Sequence, residues 1–363
     1  MSDNPKEAER EMEKAIFISA DCWLKVFDLL PRFQLGFGIA MISHRFDYYV
    51  DEHFKTRKWK LGELEIRSKI GENGANEMEI VNSADGRALP IPQNPLPNKL
   101  IGFRYIEITF IDHNVLIFLR RFQRFFPICT TQFAITTENV HISEFAVRNI
   151  WPMLKDSIYL MHLNTVTFRQ MRQFGLSSLK DCPSLQFICI YDGIFPEFPP
   201  DDSANASDGQ TVAKWLFTPR HDNLMKQLIV SIKNSAVDQW LAKMEQIKMA
   251  FSNASSPVSF VISFCFSSSF PIDSVVPFEM TNEITGEQLA LSQFFGRIFE
   301  LIRCPIASDK KNWKRTMNEE WLARQNQIEI HIKDDEFDKS LLDASSAGPS
   351  GDQKQQKMNC LIG

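Results

Sequence analysis

Between residues 98 and 232 the chain alternates strand-like and helix-like runs, and this alternation restricts the fold more than any other feature of the sequence. Strand-like stretches occupy 103–111, 132–136, 165–168, 185–191 and 227–232, and helix-like stretches at 114–126, 144–155 and 169–181 lie between the first four. Such alternation builds layered strand-and-helix architectures. The spacing of about 23 to 32 residues suits a strand-turn-helix solenoid. Its best single repeat is Leu179-x-x-Cys182-x-x-Leu185-x-Phe187-x-Cys189. A compact α/β sheet is the other arrangement the pattern allows.

The flanks differ in texture. Upstream, LGELEIR (61–67) alternates as a strand does, and Asp85-Gly86 marks a hairpin turn. The Pro-dense IPQNPLP (91–97) cannot pair at the centre of a sheet and marks a joint. Downstream, residues 192–214 form the longest irregular stretch, acidic through Glu197, Asp201, Asp202 and Asp208. Ser235 and Asp238 then open a helix to about residue 252, with Val237, Leu241, Met244, Ile247 and Phe251 as its buried stripe. After Pro257 the runs SFVISFCF, VPFEMTN, EQLALSQF and RIFELIRCP read as strands. Thr285-Gly286 is one turn, and Gly296 divides 287–303 into two strands where its length alone would allow a helix. A helix over 308–324 carrying Trp313, Met317 and Trp321 precedes a last strand at 327–332. The Ser-, Gly-, Gln- and Lys-rich tail has the composition of a disordered segment. The expected division is a charged lead-in (1–16), a helical unit (17–60), a hairpin and joint (61–97), an α/β domain (98–337) and a tail (338–363).

Composition narrows the function. A net charge of −5 over 363 residues argues against a broad nucleic-acid-binding surface. Thirty Phe against five Tyr point to a large, dry core. The seven cysteines are scattered with no CxxC pair, as in reduced thiols rather than a disulfide framework or a zinc site. The charged start has no apolar core of a signal peptide, and no run is long enough to span a bilayer, so a cytoplasmic or nuclear location is expected. Cys360-Leu361-Ile362-Gly363 has the spacing of a prenylation box with an atypical last residue. GxSxG, HExxH, GxxxxGK and GxGxxG are all missing, and the seven His are dispersed. The expectation is a non-enzyme without cofactor or metal.

Residues 17–60 hold the most specific signal. Three short helices are expected there, the first capped by Ser19 or Asp21 and stopped by Pro31, the second weakened by Gly36 and Gly38, the third capped by Ser43. The first is apolar over too much of its circumference for so small a unit to hide. Either the rest of the chain covers the surplus or another protein does. The order Ile18-Ser19-Ala20-Asp21-Cys22-Trp23-Leu24-Lys25-Val26-Phe27-Asp28-Leu29-Leu30-Pro31, followed by Ile42-Ser43-His44-Arg45-Phe46, resembles an F-box. Ser19, Cys22 and Phe46 depart from its usual Pro, Leu and Trp. The phrases ISADCW, DEHFKTRKW, LPIPQNPLP, FPEFPPDDSA, VAKWLFTPR, PFEMTNEITGE and LIRCPI look like a large group of F-box proteins from plant-parasitic nematodes, over roughly residues 17–335.

With the alternation read above, the expected fold is α+β: a three-helix F-box, which the resemblance implies, followed by a mixed α/β domain of degenerate strand-helix repeats and then antiparallel strands. It implies a substrate-recognition adaptor of a Skp–cullin–F-box ubiquitin ligase. Ile18, Cys22, Trp23, Val26, Phe27, Leu30, Pro31, Leu35, Ile42, Arg45 and Phe46 would dock on the Skp-type linker and through it on a cullin. A client protein would bind within 98–335, at the 192–214 loop and an adjoining concave strand face. An F-box module without ligase output, sequestering the linker or serving as a scaffold, fits the same residues.

Overall fold

A computed structural model describes residues 18–54, 59–74, 76–83, 86–89, 100–125, 131–137, 139–174, 179–220, 222, 224–232, 237–307, 326–332 and 337. The expected lead-in, Asp85, the Pro-dense joint, Ser235, the 308–324 helix and the tail with Cys360 lie outside them.

Three helical segments open the chain. Helix α1 (Ala20–Phe27) starts at Ser19, whose hydroxyl accepts from the Cys22 N–H at 3.4 Å, so Ser19 and not Asp21 is the cap. After Pro31, α2 (Arg32–Gln34) runs into a π-helical turn, Leu35–Ile39, which contains both glycines. Helix α3 (His44–Phe54) begins with the Ser43 hydroxyl accepting from the Phe46 N–H. Phe27, Leu35, Ala40 and Val50 point inward and belong to the same continuous core as the sheet.

Two short strands, β1 (Trp59–Lys60) and β5 (Leu100–Gly102), pair with each other. The remaining strands make one mixed sheet of 13. At one end lie β2 (Glu63–Ile70), β3 (Asn76–Asn82) and β4 (Ala88–Leu89), antiparallel to one another. The middle is parallel: β6 (Tyr105–Ile108), β7 (Thr131–Ile135), β8 (Ile158–Leu163), β9 (Phe187–Ile190), β10 (Lys226–Ile232) and β11 (Phe260–Phe266). The far end is the antiparallel set β12 (Phe278–Asn282), β13 (Glu287–Phe295) and β14 (Ile298–Pro305). β15 (Asn326–Ile330) returns across the sheet and inserts between β6 and β7, parallel to both. The hairpin strands of 61–97 thus extend the same sheet as residues 98–337.

From β7 to β11 the strand order follows the sequence. Consecutive parallel strands whose crossovers share one hand put every connecting helix on the same face. The helices here are α4 (His113–Phe122), α5 (Val140–Asn149), α6 (Trp151–Leu154), α7 (Thr165–Phe174), α8 (Asp208–Leu216) and α9 (Val237–Ser252). Their buried side chains share one core with alternate strand residues such as Ile106, Phe133, Met161, Ile188, Val230 and Ile262. The order of a repeat array is therefore kept inside a single sheet that carries antiparallel additions at both ends.

Three sequence expectations change. Residues 165–168 begin α7 rather than form a strand, because Asn164 Oδ1 accepts from the Thr167 N–H at 2.7 Å and starts the helix. The strand is β8, buried on both sides and so without alternation. On α9 the inward stripe is Trp240, Met244, Ile247 and Phe251, while Leu241 is exposed and Val237 half-buried. Trp240 wins because its ring packs edge-on against Phe195, Phe264 and Phe266. The 192–214 stretch is not an open loop: Ile194, Phe195 and Ala206 are buried, and α8 starts at Ser207 with a complete capping box to Gln210.

Candidate functional site: an apolar ridge and an acidic sheet face

Helix α1 is apolar on two sides, and only one is satisfied internally. On the inner side Phe27 is buried, 5.9 Å from His53 ring to ring and perpendicular to it. Trp23 meets Phe46 edge-on at 4.9 Å, and Phe46 meets Tyr49 at 6.3 Å. This aromatic seam fastens α1 to α3. The outer side carries Cys22 and Val26 one turn apart on α1, with Ile18 just before the helix and Leu29 just after it. Ile18 is 38%, Val26 43% and Leu29 83% exposed, with Cys22 exposed between Ile18 and Val26; Ile42, in the turn before α3, is 62% exposed. Three large apolar side chains uncovered within residues 18–29 make a ridge rather than scattered surface residues.

The eleven expected docking residues thus separate by position. Ile18, Cys22, Val26, Pro31, Ile42 and Arg45 are exposed. Trp23, Leu30 and Phe46 are half-buried. Phe27 and Leu35 are each 1% exposed, inside the chain's own core, and present nothing to a partner. Arg45 folds back along α3, its Nε donating to the Tyr49 hydroxyl at 2.9 Å. Leu29, outside the expected set, is the most exposed member of the ridge. Its spacing from Cys22 and Val26 was the available signal.

The second surface is the sheet face opposite the helices. Cross-strand partners align Glu65, Glu107, Glu329, Ala134, His162 and Cys189 in one row across β2, β6, β15, β7, β8 and β9. Adjacent strands lie about 4.8 Å apart, so the three carboxylates are close neighbours. Tyr105 donates its hydroxyl to Glu329 Oε2 at 2.9 Å. Burial, with the charges of Glu65 and Glu329, holds the Glu107 carboxyl above the usual range, and His331 opposes this. Further along, the face turns aromatic and apolar: Tyr159, Leu160, Phe187 and Cys189 form a small cluster beside Ile229. His162 lies parallel to Tyr191, with Nδ1 2.5 Å from its hydroxyl, and burial lowers the imidazole's proton affinity. Burial pushes the Cys189 thiol up to about 12, the state of an unreactive thiol. The signal for this face was the strict alternation of GELEI and QIEIHI, which sends Glu63, Glu65, Gln327, Glu329 and His331 to one side.

The acidic residues of 192–214, expected to face a client, are engaged at home. Asp208 pairs with Arg172 at 2.9 Å and Arg169 at 3.3 Å. Glu197 accepts from the Ser207 hydroxyl, and Asp201 accepts from the N–H and hydroxyl of Ser203. They fix the segment to α7 and α8. Among the described residues no group of three or more His, Cys, Asp or Glu side chains could hold a metal ion, and no helix is long and apolar enough to cross a membrane. No family model, curated protein or solved structure matches this chain.

Proposed function

We propose that the chain is the substrate-recognition subunit of a Skp–cullin–F-box type ubiquitin ligase. The ridge of Ile18, Cys22, Val26 and Leu29, together with Ile42, enters an apolar groove of the Skp-type linker, and the half-exposed acidic end of the sheet face opposite the helices receives the client. The chain performs no ubiquitin chemistry itself: it raises the local concentration of client lysines near a charged conjugating enzyme. The observation that carries this reading is the ridge, since large apolar side chains at the centre of a desolvated interface are the kind that hold a partner. The resemblance of residues 18–46 to an F-box favours a Skp-type linker as that partner.

The test is co-purification with the linker and cullin, wild type against a Val26→Asp/Leu29→Asp double variant. Two anchors worth more than about 1 kcal/mol each predict at least a roughly thirtyfold loss of linker affinity. The melting midpoint is expected to stay put, because both side chains face solvent in the free chain. Wild-type linker binding by the folded double variant would sink the reading. A wild-type linker complex that excludes cullin would instead leave an interaction module without ligase output.

A further inference from the structure

A cleft of about 390 Å³ opens at the end of the sheet where β9 and β10 begin, lined by Pro183, Thr211, Lys214, Trp215, Arg220 and Lys226 among others. A smaller one of about 140 Å³ adjoins it and shares Arg220 and Lys226. The larger volume falls in the range of small-molecule sites. Lys226 is 6% exposed, and its Nζ donates to the Trp215 and Thr218 carbonyls at the end of α8. These two acceptors match the two hydrogens of a neutral amine. The Trp215 ring centre lies 5.1 Å from Nζ. Burial, and next the charge of Arg220, pull the lysine down to about 7, with Asp222 opposing. Arg220 is itself buried, bound to the Ser184 and Leu185 carbonyls and to both oxygens of Asp222. Among the described residues, the other charged groups lining the cleft are Lys214 and Asp202. A desolvated amine beside a second cation on the wall of a cavity is the arrangement that makes a lysine nucleophilic.

We propose that this cleft is a covalent binding site in which Lys226 takes a small aldehyde or ketone as an imine. The nitrogen lone pair adds to the carbonyl carbon as the C=O π bond opens, and one N–H proton passes to the oxygen. The C–O bond of this carbinolamine then breaks, the hydroxyl leaves with the second N–H proton as water, and a C=N bond remains. Nothing is oxidised or reduced. This site does not depend on the adaptor reading, since it lies on the α/β domain and not on α1.

The test uses the full chain with acetaldehyde and sodium cyanoborohydride, which traps an imine as a stable alkylamine, with peptide mapping by mass spectrometry over about pH 6 to pH 9. Lys226 should be alkylated about tenfold or more faster than the exposed Lys25 and Lys69 at neutral pH, with a half-maximal rate near pH 7. Alkylation of Lys25 and Lys69 with the Lys226 peptide untouched across the range would overturn the proposal, leaving Lys226 a helix-capping cation only. Pro183→Trp, at the exposed rim, should slow the Lys226 reaction about tenfold and leave Lys25 unaffected. An unchanged Lys226 rate in that variant would mean the amine is reached by local opening rather than through the cleft, and would also overturn it.

Discussion

Phe27 and Val26 are neighbours in sequence with opposite duties. Phe27 sits against His53 inside the core, so Phe27→Ala removes a buried ring and leaves a cavity. A loss of about 3–5 kcal/mol in urea unfolding is expected, and any fall in partner binding should follow the fraction unfolded. A loss below about 1 kcal/mol would mean that the seam between α1 and α3 contributes little. Glu107 makes a different prediction. A carboxyl held above its unfolded value by burial and by two neighbouring carboxylates destabilises the fold when charged. That penalty is complete above the raised value and is relieved as pH falls through it toward the ordinary range. Glu107→Gln should therefore raise the melting midpoint at pH 7, with the gain vanishing on acidification. A midpoint at pH 7 equal to or below wild type would show that the carboxylate row is not under repulsion.

At the scale of elements, what the sequence disclosed depended on whether an element has two unlike faces. Strands β2, β13 and β15 were legible because a turn or an alternation marks them. β8 was not: Ile158, Tyr159, Leu160 and Met161 are all buried, so no period of two exists, and the β-branched Thr165-Val166-Thr167 just after it imitates a strand. The Ser19 and Ser43 caps could be read locally, whereas α1 ends at Phe27, short of the expected stop at Pro31, which instead precedes α2. Which side of α1 faces inward could not be read, since both are apolar and only the placement of α3 decides. The 192–214 stretch has the composition of a free acidic loop. Its arginine partners lie more than thirty residues earlier on α7, beyond the reach of any local pattern.

Over the whole molecule, the feature least visible in the sequence is the position of β15. Ile328 pairs in register with Ile106 on one side and Phe133 on the other, and all three are buried. Asn326 adds a bond from Nδ2 to the Phe125 carbonyl at 3.0 Å. Without β15 the edges of β6 and β7 have no partner between them. A chain ending before Asn326 should lose its cooperative unfolding transition by circular dichroism; retention of the wild-type midpoint would mean the two halves of the sheet hold together unaided. The same insertion orders events during synthesis. Everything from residue 18 to residue 307 leaves the ribosome before the strand that joins its two halves exists. Until then each half carries a bare edge able to pair with the wrong chain. A nascent chain stalled short of the last strand should therefore be the species that chaperones hold and proteases cut, and release of that one short segment is the step that makes the protein safe from both.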